Sequence, residues 1–250
     1  MNKKNPPGVV LYDGPSRIDG QPIVVISTFT SKNIKTGDVI QTWILRKNIN
    51  PIRALNTGSD KSVCGDCPLR GIIKRADRIP KNVDNGCYVQ IEQAPRAVWQ
   101  SYQDGNYPFF DRKEHLRLFS GRKLRMGSYG DPVASPLSVW RPLLKVAAGW
   151  TGYTHQWRHR RFRNWSRFIM ASTHSKSDND LARSYGFRWF RSGDEIGPGE
   201  IHCPASEAEG NRLTCEECCA CSGGRPSQVS VFIKLHGSPS TVAGFRKAIA

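Results

Sequence analysis

Residues 124–157, LRMGSYGDPVASPLSVWRPLLKVAAGWTGYTHQW, carry the pattern on which the fold reading turns. Residues 124–128 form a short strand that stops at Tyr129-Gly130-Asp131-Pro132, a run of turn formers. Ser135-Pro136 then opens a helix through Val139, Trp140, Leu143, Leu144, Val146 and Ala147, close to the i, i+3, i+4, i+7 spacing of one apolar face. Residues 151–154 make a second strand. Strand, helix and strand in succession imply parallel strands joined by a right-handed crossover.

The same alternation extends outward. Residues 23–30 (IVVISTFT) and 39–45 (VIQTWIL) are β-branched, apolar runs around a Gly-containing turn, which predicts neighbouring strands. Residues 1–20, rich in Pro, Gly and Asp, read as a lead-in segment, and residues 47–86 as a loop that something must tie down. Residues 87–93 (CYVQIEQ) predict a strand, and Ala94-Pro95 the start of a helix. Further strands are expected at 168–172, 187–191 and 229–237, with a helix over 178–185 that stops at Gly186 and a short final helix. The expected architecture is one α/β domain over residues 1–250, a complete or partial (β/α) barrel, with an open doubly wound sheet as the alternative. Several strands end in polar or small residues, at Ser128 to Asp131, Tyr153 to Gln156, Ala171 to His174 and His236-Gly237, and ligands in such folds meet the carboxyl ends of the strands. Neither GxGxxG nor a Walker loop occurs, so nothing in the sequence marks a dinucleotide or P-loop nucleotide site.

The hydrophobic fraction of 38% supports a substantial core, and no apolar run approaches the ~18–20 residues of a membrane span. Two lysines at the N-terminus have no apolar stretch behind them, so the expectation is a cytoplasmic protein with no membrane partner. The net charge of +16 either favours a polyanionic partner or covers a soluble surface with Lys and Arg.

The eight cysteines fall into two groups, within loops 47–87 and 203–221. In a reducing compartment such clusters point to metal in preference to disulfides. Cys203, Cys215, Cys218 and Cys221 follow C-x11-C-x2-C-x2-C. Two intervening residues let both thiolates of a turn face one ion, as zinc and iron–sulfur sites both require. Cys219 could replace a neighbour or stand apart. Cys64-Gly-Asp-Cys67, with Cys87 beyond nineteen further residues, supplies three thiols and leaves one position open. Asp66, Cys219 or a distant His could complete that shell, or the position could serve a small molecule on the open iron of a cluster. A redox CxxC pair is the other reading.

The motifs Gly86-Cys87-Tyr88, Gly127 to Pro132, Thr151 to Trp157, Met170-Ala-Ser172 and Cys203-Pro204-Ala205-Ser206 through Cys221, with Ser31 to Gly37 and Cys64 to Pro68, resemble uncharacterised phage and plasmid proteins near the phage "gene product 88" group. The resemblance covers about residues 10–237 and implies a mobile-element origin without an assigned activity. More loosely, the Cys-Tyr, Gly-x-Asp, YTH and MAS segments are similar to radical S-adenosylmethionine barrels. That similarity implies a four-iron cluster on Cys64, Cys67 and Cys87 whose open iron binds the methionine moiety of S-adenosylmethionine. It also implies an auxiliary cluster on the second group, with cofactor contacts at Tyr88, Ser128, Tyr129 and Ser172. The spacing of the first group differs from the compact Cys-x3-Cys-x2-Cys of those barrels.

Two further sets stand out. Asp131, His155 and His236, at strand ends, are candidate acid/base or substrate groups. In residues 157–168, WRHRRFRNWSRF, five arginines interleave with four aromatics. Arg158, Arg160, Arg161, Arg163 and Trp165 are candidate nucleic-acid contacts, because guanidinium forks suit phosphates and aromatic faces stack on bases. The alternative is a crossover helix with its aromatics inward. The chain thus reads as a metalloprotein, an iron–sulfur enzyme or a zinc-stapled nucleic-acid binder.

Overall fold

Ile23, Val24, Val25 and Ile26 are all fully buried, which requires cover on both faces of their strand and a sheet edge on both sides. The computed structural model, which describes residues 5–31, 33–70, 86–224 and 228–249, supplies both. Nine strands form one sheet: β1 (Gly8–Pro15), β2 (Pro22–Thr28), β3 (Ile40–Arg46), β4 (Lys123–Tyr129), β5 (Gly149–Thr154), β6 (Met170–Thr173), β7 (Trp189–Gly193), β8 (Glu200–His202) and β9 (Ser230–Lys234). Their order is β1-β2-β3-β4-β5-β6-β7-β9-β8. The pairs β1–β2 and β2–β3 are antiparallel, and every later pair is parallel.

Between β3 and β4 lie α1 (Pro51–Thr57), α2 (Lys61–Cys64), α3 (Ala94–Gln103) and α4 (Arg112–His115). Helix α5 (Leu137–Val146) joins β4 to β5, and α6 (Lys176–Ser184) joins β6 to β7. Helix α7 (Cys215–Cys218) lies in the second cysteine loop, and α8 (Pro239–Ile249) follows β9. Among the described residues, no helix is long and apolar enough to cross a membrane.

From β3 to β7 the strand order rises one step at a time, so right-handed crossovers all step the same way. That order lacks the reversal of a doubly wound sheet. Among the described residues β1 and β8 stand at opposite ends without pairing to each other, so the sheet is not a complete barrel. The mixed α/β class holds, as an open and mostly parallel sheet with flanking helices.

Alternation along the strands assigns the two faces. Ala171 and Trp189 pack with Trp157, Ala182 and Phe187 on the α6 side. Their neighbours Met170 and Phe190 turn the other way, onto Val231, Tyr153, Cys203, Ala220 and Cys221. The second cysteine loop thus covers the face opposite α6. Arg188, 6% exposed, fastens it: its guanidinium donates to the carbonyls of Ala220 (3.1 Å), Ser222 (3.0 Å) and Val229 (2.6 and 3.0 Å).

Two sequence expectations are corrected. Residues 8–15 are a full edge strand, not a lead-in. Residues 87–93 form no strand, because the flanks of β3 are already taken by β2 and β4. They turn instead, Gln93 N–H donating to Gln90 O, and bury Ile91 ahead of α3. Residues 71–85 of the first cysteine loop lie outside the described residues.

Arg188→Met keeps the side-chain length and strands three carbonyls. The expected loss is about 2–4 kcal/mol of folding stability in urea denaturation. A change under about 0.5 kcal/mol would show that the loop is held without it.

Candidate metal centres

Helix α2 ends in the Cys64-Gly65-Asp66-Cys67 turn, where Cys67 N–H donates to Cys64 O at 3.3 Å. Gly65 takes φ +57, and a Cβ there would fall on the Gln156 amide, so glycine is required. Arg70 braces the turn. Its guanidinium donates to both carboxylate oxygens of buried Asp60 (2.9 and 2.5 Å) and to the carbonyls of Gly58 (2.9 Å) and Gly65 (3.1 Å).

The turn rests on the carboxyl edge of the sheet. Gly130, at φ +82, passes so close to Ile44 that a side chain would collide with it and crowd the Val63 carbonyl. Asp131 N–H then donates to Val63 O at 2.6 Å, and Gln156 Nε2 to Cys64 O at 3.2 Å. Cys87 arrives from the α8 side: Gly86 lies against the Phe245 backbone, and Tyr88 stacks on His236 with ring centroids 5.1 Å apart. Residues 64, 67 and 87 thereby share one patch. Burial, then the charges of Asp60, Cys67 and Cys87, push the Cys64 thiol well above its usual range. Burial and then Cys87 do the same for Cys67. Burial also raises Cys87, and it raises the Tyr129 phenol together with the charges of Cys64, Asp60 and Cys87. Arg70 pulls Cys64 and Cys67 the other way, and a cation bound to the thiols would do so more strongly. Among the described residues, no three or more His, Cys, Asp and Glu side chains are drawn tightly enough together to hold an ion as they stand.

Of the proposed fourth donors, Asp66 is engaged and Cys219 is remote, and the acid/base candidate Asp131 is engaged as well. Asp66 pairs with His159 Nε2 at 2.8 Å. Asp131 accepts from Val133 N–H (3.2 Å), Thr154 Oγ1 (2.9 Å) and His155 N–H (2.9 Å), while burial pushes its carboxyl up to about 7 against the pull of those donors. Cys219 belongs to the other edge of the sheet.

The remaining strand-end residues divide. The His155 ring lies on that of His174, centroids 5.4 Å apart and 19° from parallel. Burial holds His155 down at about 3 and His174 at about 4. Both ring nitrogens of His174 are buried without a hydrogen-bond partner, and the edge of Phe245 covers that ring. His236 lies against Tyr88, with Nδ1 donating to Lys234 O at 2.8 Å. The Ser128 hydroxyl donates to Gln41, and the Ser172 carbonyl accepts Trp157 Nε1 at 2.9 Å, so both are engaged in the fold. Sequence reasoning did not select His174 or the Asp60–Arg70 clamp. His174 had a signal, its place at a polar strand end, whereas Asp60 and Arg70 had none.

The second group lies toward the amino edge. Cys215 and Glu216 N–H donate to Lys35 O and Thr36 O (both 3.1 Å), and the Glu216 carbonyl accepts Lys123 Nζ. Thr214 and Glu217 cap α7 reciprocally. Cys219 follows at φ +47, the one non-glycine positive φ among the described residues. Burial pushes the Cys221 thiol up to about 12, with Cys203, Cys215 and Cys218 adding to it. Burial pushes Cys203 up to about 11, with Cys215 and Cys218 adding to it. Cys203, Cys215 and Cys221 all feel the charge of Cys218. The Cys219 thiol faces Gly149 and Lys123, and burial raises it too.

The basic run is not an α-helix but a 3-10 helix, Arg160–Arg167, preceded by the 3-10 turn Gln156–Arg158. Trp165 is 3% exposed and Phe162 likewise, so their faces are in the core and not offered to bases. Arg158 pairs with Asp178 and lies 4.0 Å over the Trp157 ring. Arg161 donates to Ile18 O at 3.1 Å, Arg163 covers the Tyr185 ring at 3.5 Å, and Arg160 is exposed.

Comparison with family models, curated proteins and solved structures finds no match.

The depressed histidines give a pH test. Between about pH 6.5 and 4 the unfolded chain binds protons that His155 and His174 refuse when folded, so their contribution lowers stability as pH falls. Asp131, raised when folded, works oppositely and lowers stability as pH rises from its unfolded value toward 7. Replacing both histidines by Asn should remove roughly 2–4 kcal/mol of the stability difference between pH 6.5 and 4.5 in urea denaturation. An unchanged pH response would mean that the rings are not buried neutral.

Proposed function

We propose that this chain is an iron–sulfur enzyme similar to radical S-adenosylmethionine proteins, with its cluster on Cys64, Cys67 and Cys87. One observation carries the reading: three thiols from two segments share a patch at the carboxyl edge of a parallel sheet while the nearby carboxylates are engaged elsewhere. The donor set fits the group. Thiols are soft ligands suited to iron–sulfur clusters, and three of them leave one position for an exogenous molecule. A four-iron cluster bound there would supply an electron and an open iron for the methionine moiety of S-adenosylmethionine.

The chain's own residues would do the rest. Arg70 holds the turn in shape through Asp60. Tyr129 and Asp131 would pack behind it, and the carboxyl edge of the open sheet would set His155, His174, Tyr88 and His236 around the cluster. The second group would hold zinc or an auxiliary cluster on Cys203, Cys215, Cys218 and Cys221 and pin its loop to the sheet. A cytoplasmic setting accords with thiols kept reduced. A phage or plasmid origin rests on the sequence resemblance. The second reading is a zinc-stapled nucleic-acid binder without catalysis, favoured by the exposed arginines after β5.

Anaerobic purification with iron, sulfide and zinc analysis and visible absorption separates the two. The enzyme reading expects about four iron and four sulfide at the first site. The double substitution C64S and C67S should remove them and leave the metal of the second group. Zinc alone at both sites, or metal content unchanged by the substitutions, refutes it.

A further inference from the structure

In a 3-10 helix, side chains three apart share a face. Over Arg160–Arg167 and the residue after it, this sorts the chain into three rows. Phe162, Trp165 and Phe168 form the inner row, the first two buried and the third half-buried. Arg160 and Arg163 form a second row, and Arg161, Asn164 and Arg167 the third. The apolar row goes into the core, so Arg160, Arg161 and Arg167 are driven outward, while Arg163 lies over the Tyr185 ring.

This ridge has cations without balancing anions. Residues 155–169 contain no Asp or Glu. The two carboxylates that reach the segment are already taken, Asp178 by Arg158 and Asp66 by His159. Arg160 and Arg167 are exposed, and among the described residues neither makes an ion pair. Arg161 is exposed with one hydrogen bond to a carbonyl. The chain as a whole carries +16, so the ridge is not offset elsewhere.

The ridge also grows out of the first cysteine turn. Gln156 donates to Cys64 O, and His159, one residue before Arg160, holds Asp66 inside the turn. We infer that Arg160, Arg161 and Arg167 form a docking ridge for the phosphate backbone of a nucleic acid, leading a strand to the carboxyl edge beside Cys64 and Cys67. Docking stands on the ridge alone. The delivery of a substrate to a reactive centre rests on the iron–sulfur reading above. With Phe162 and Trp165 internal, the ridge meets phosphates and not stacked bases. Binding should therefore be strongly salt-dependent and tolerant of sequence.

The test uses the full chain, a fluorescein-labelled single-stranded oligonucleotide of mixed sequence, and anisotropy titrations at several salt concentrations. A triple variant, R160Q, R161Q and R167Q, should weaken binding at least tenfold at ~0.1 M salt. It should also reduce the slope of log K against log salt by about 2, since each phosphate of a single strand left unneutralised removes about 0.7. Circular dichroism and metal content should be unchanged. R141Q, an exposed arginine on α5, serves as the control and should bind as the parent does. An unchanged slope in the triple variant overturns the ridge, as does failure of the parent to bind at ~50 mM salt. Capture by phosphatidylserine vesicles without oligonucleotide binding overturns it in favour of a lipid surface. Because metal is assayed on the same samples, loss of docking with an intact cluster leaves the iron–sulfur reading standing, and docking by a cluster-free protein refutes only the latter.

Discussion

A carboxylate taken out of water needs donors, and Asp131 finds them on three sides. Its oxygens accept from Val133, Thr154 and His155, joining the end of β4 to the end of β5. Its own N–H donates to Val63, one residue before Cys64. The cysteine turn, the two central strands and the start of the 3-10 ridge therefore converge on one residue. Without that carboxylate the buried donors of Val133, Thr154 and His155 would lose their acceptor.

The position of Asp131 follows from Gly130. Only a residue without a Cβ fits between Ile44 and the Val63 carbonyl at positive φ, and that bend aims the next side chain back under β5. A local backbone requirement thus sets the long-range geometry. Chemistry gathers at this edge because parallel strands stepping one way bring all their carboxyl ends together. The opposite edge is used differently. There the second cysteine loop is bound by backbone hydrogen bonds and by Arg188, an arrangement suited to holding a loop more than to admitting a ligand.

The strand–helix–strand unit over 124–157 was legible because its periodicity changes cleanly from 2 to 3.6 and back. The cysteine sets were legible from spacing alone. Their placement on opposite edges was not, since that depends on strand order, which no local pattern encodes. Residues 8–15 were missed because Gly and Pro at the ends of the strand mimic a turn-rich lead-in. Residues 87–93 misled because an alternating run fits a strand equally well, and only the occupied flanks of β3 exclude it. The aromatics of 157–168 fit both a stacking platform and a buried row. The three-residue period that decides between them belongs to a helix type too rare in long runs to expect. Asp60 and Arg70 carried no sequence signal because neither residue alone marks a buried clamp.

Helix α8 bears on the order in which the molecule is completed. Its buried Phe245 supports Gly86 and covers the ring of His174, and just before the helix His236 backs Tyr88. Cys87 is consequently seated by residues made long after it during synthesis. A nascent chain released only as far as β7 would hold Cys64 and Cys67 against the sheet with their third companion unsupported. The seating of Cys87 therefore depends on the last strand and helix of the described chain.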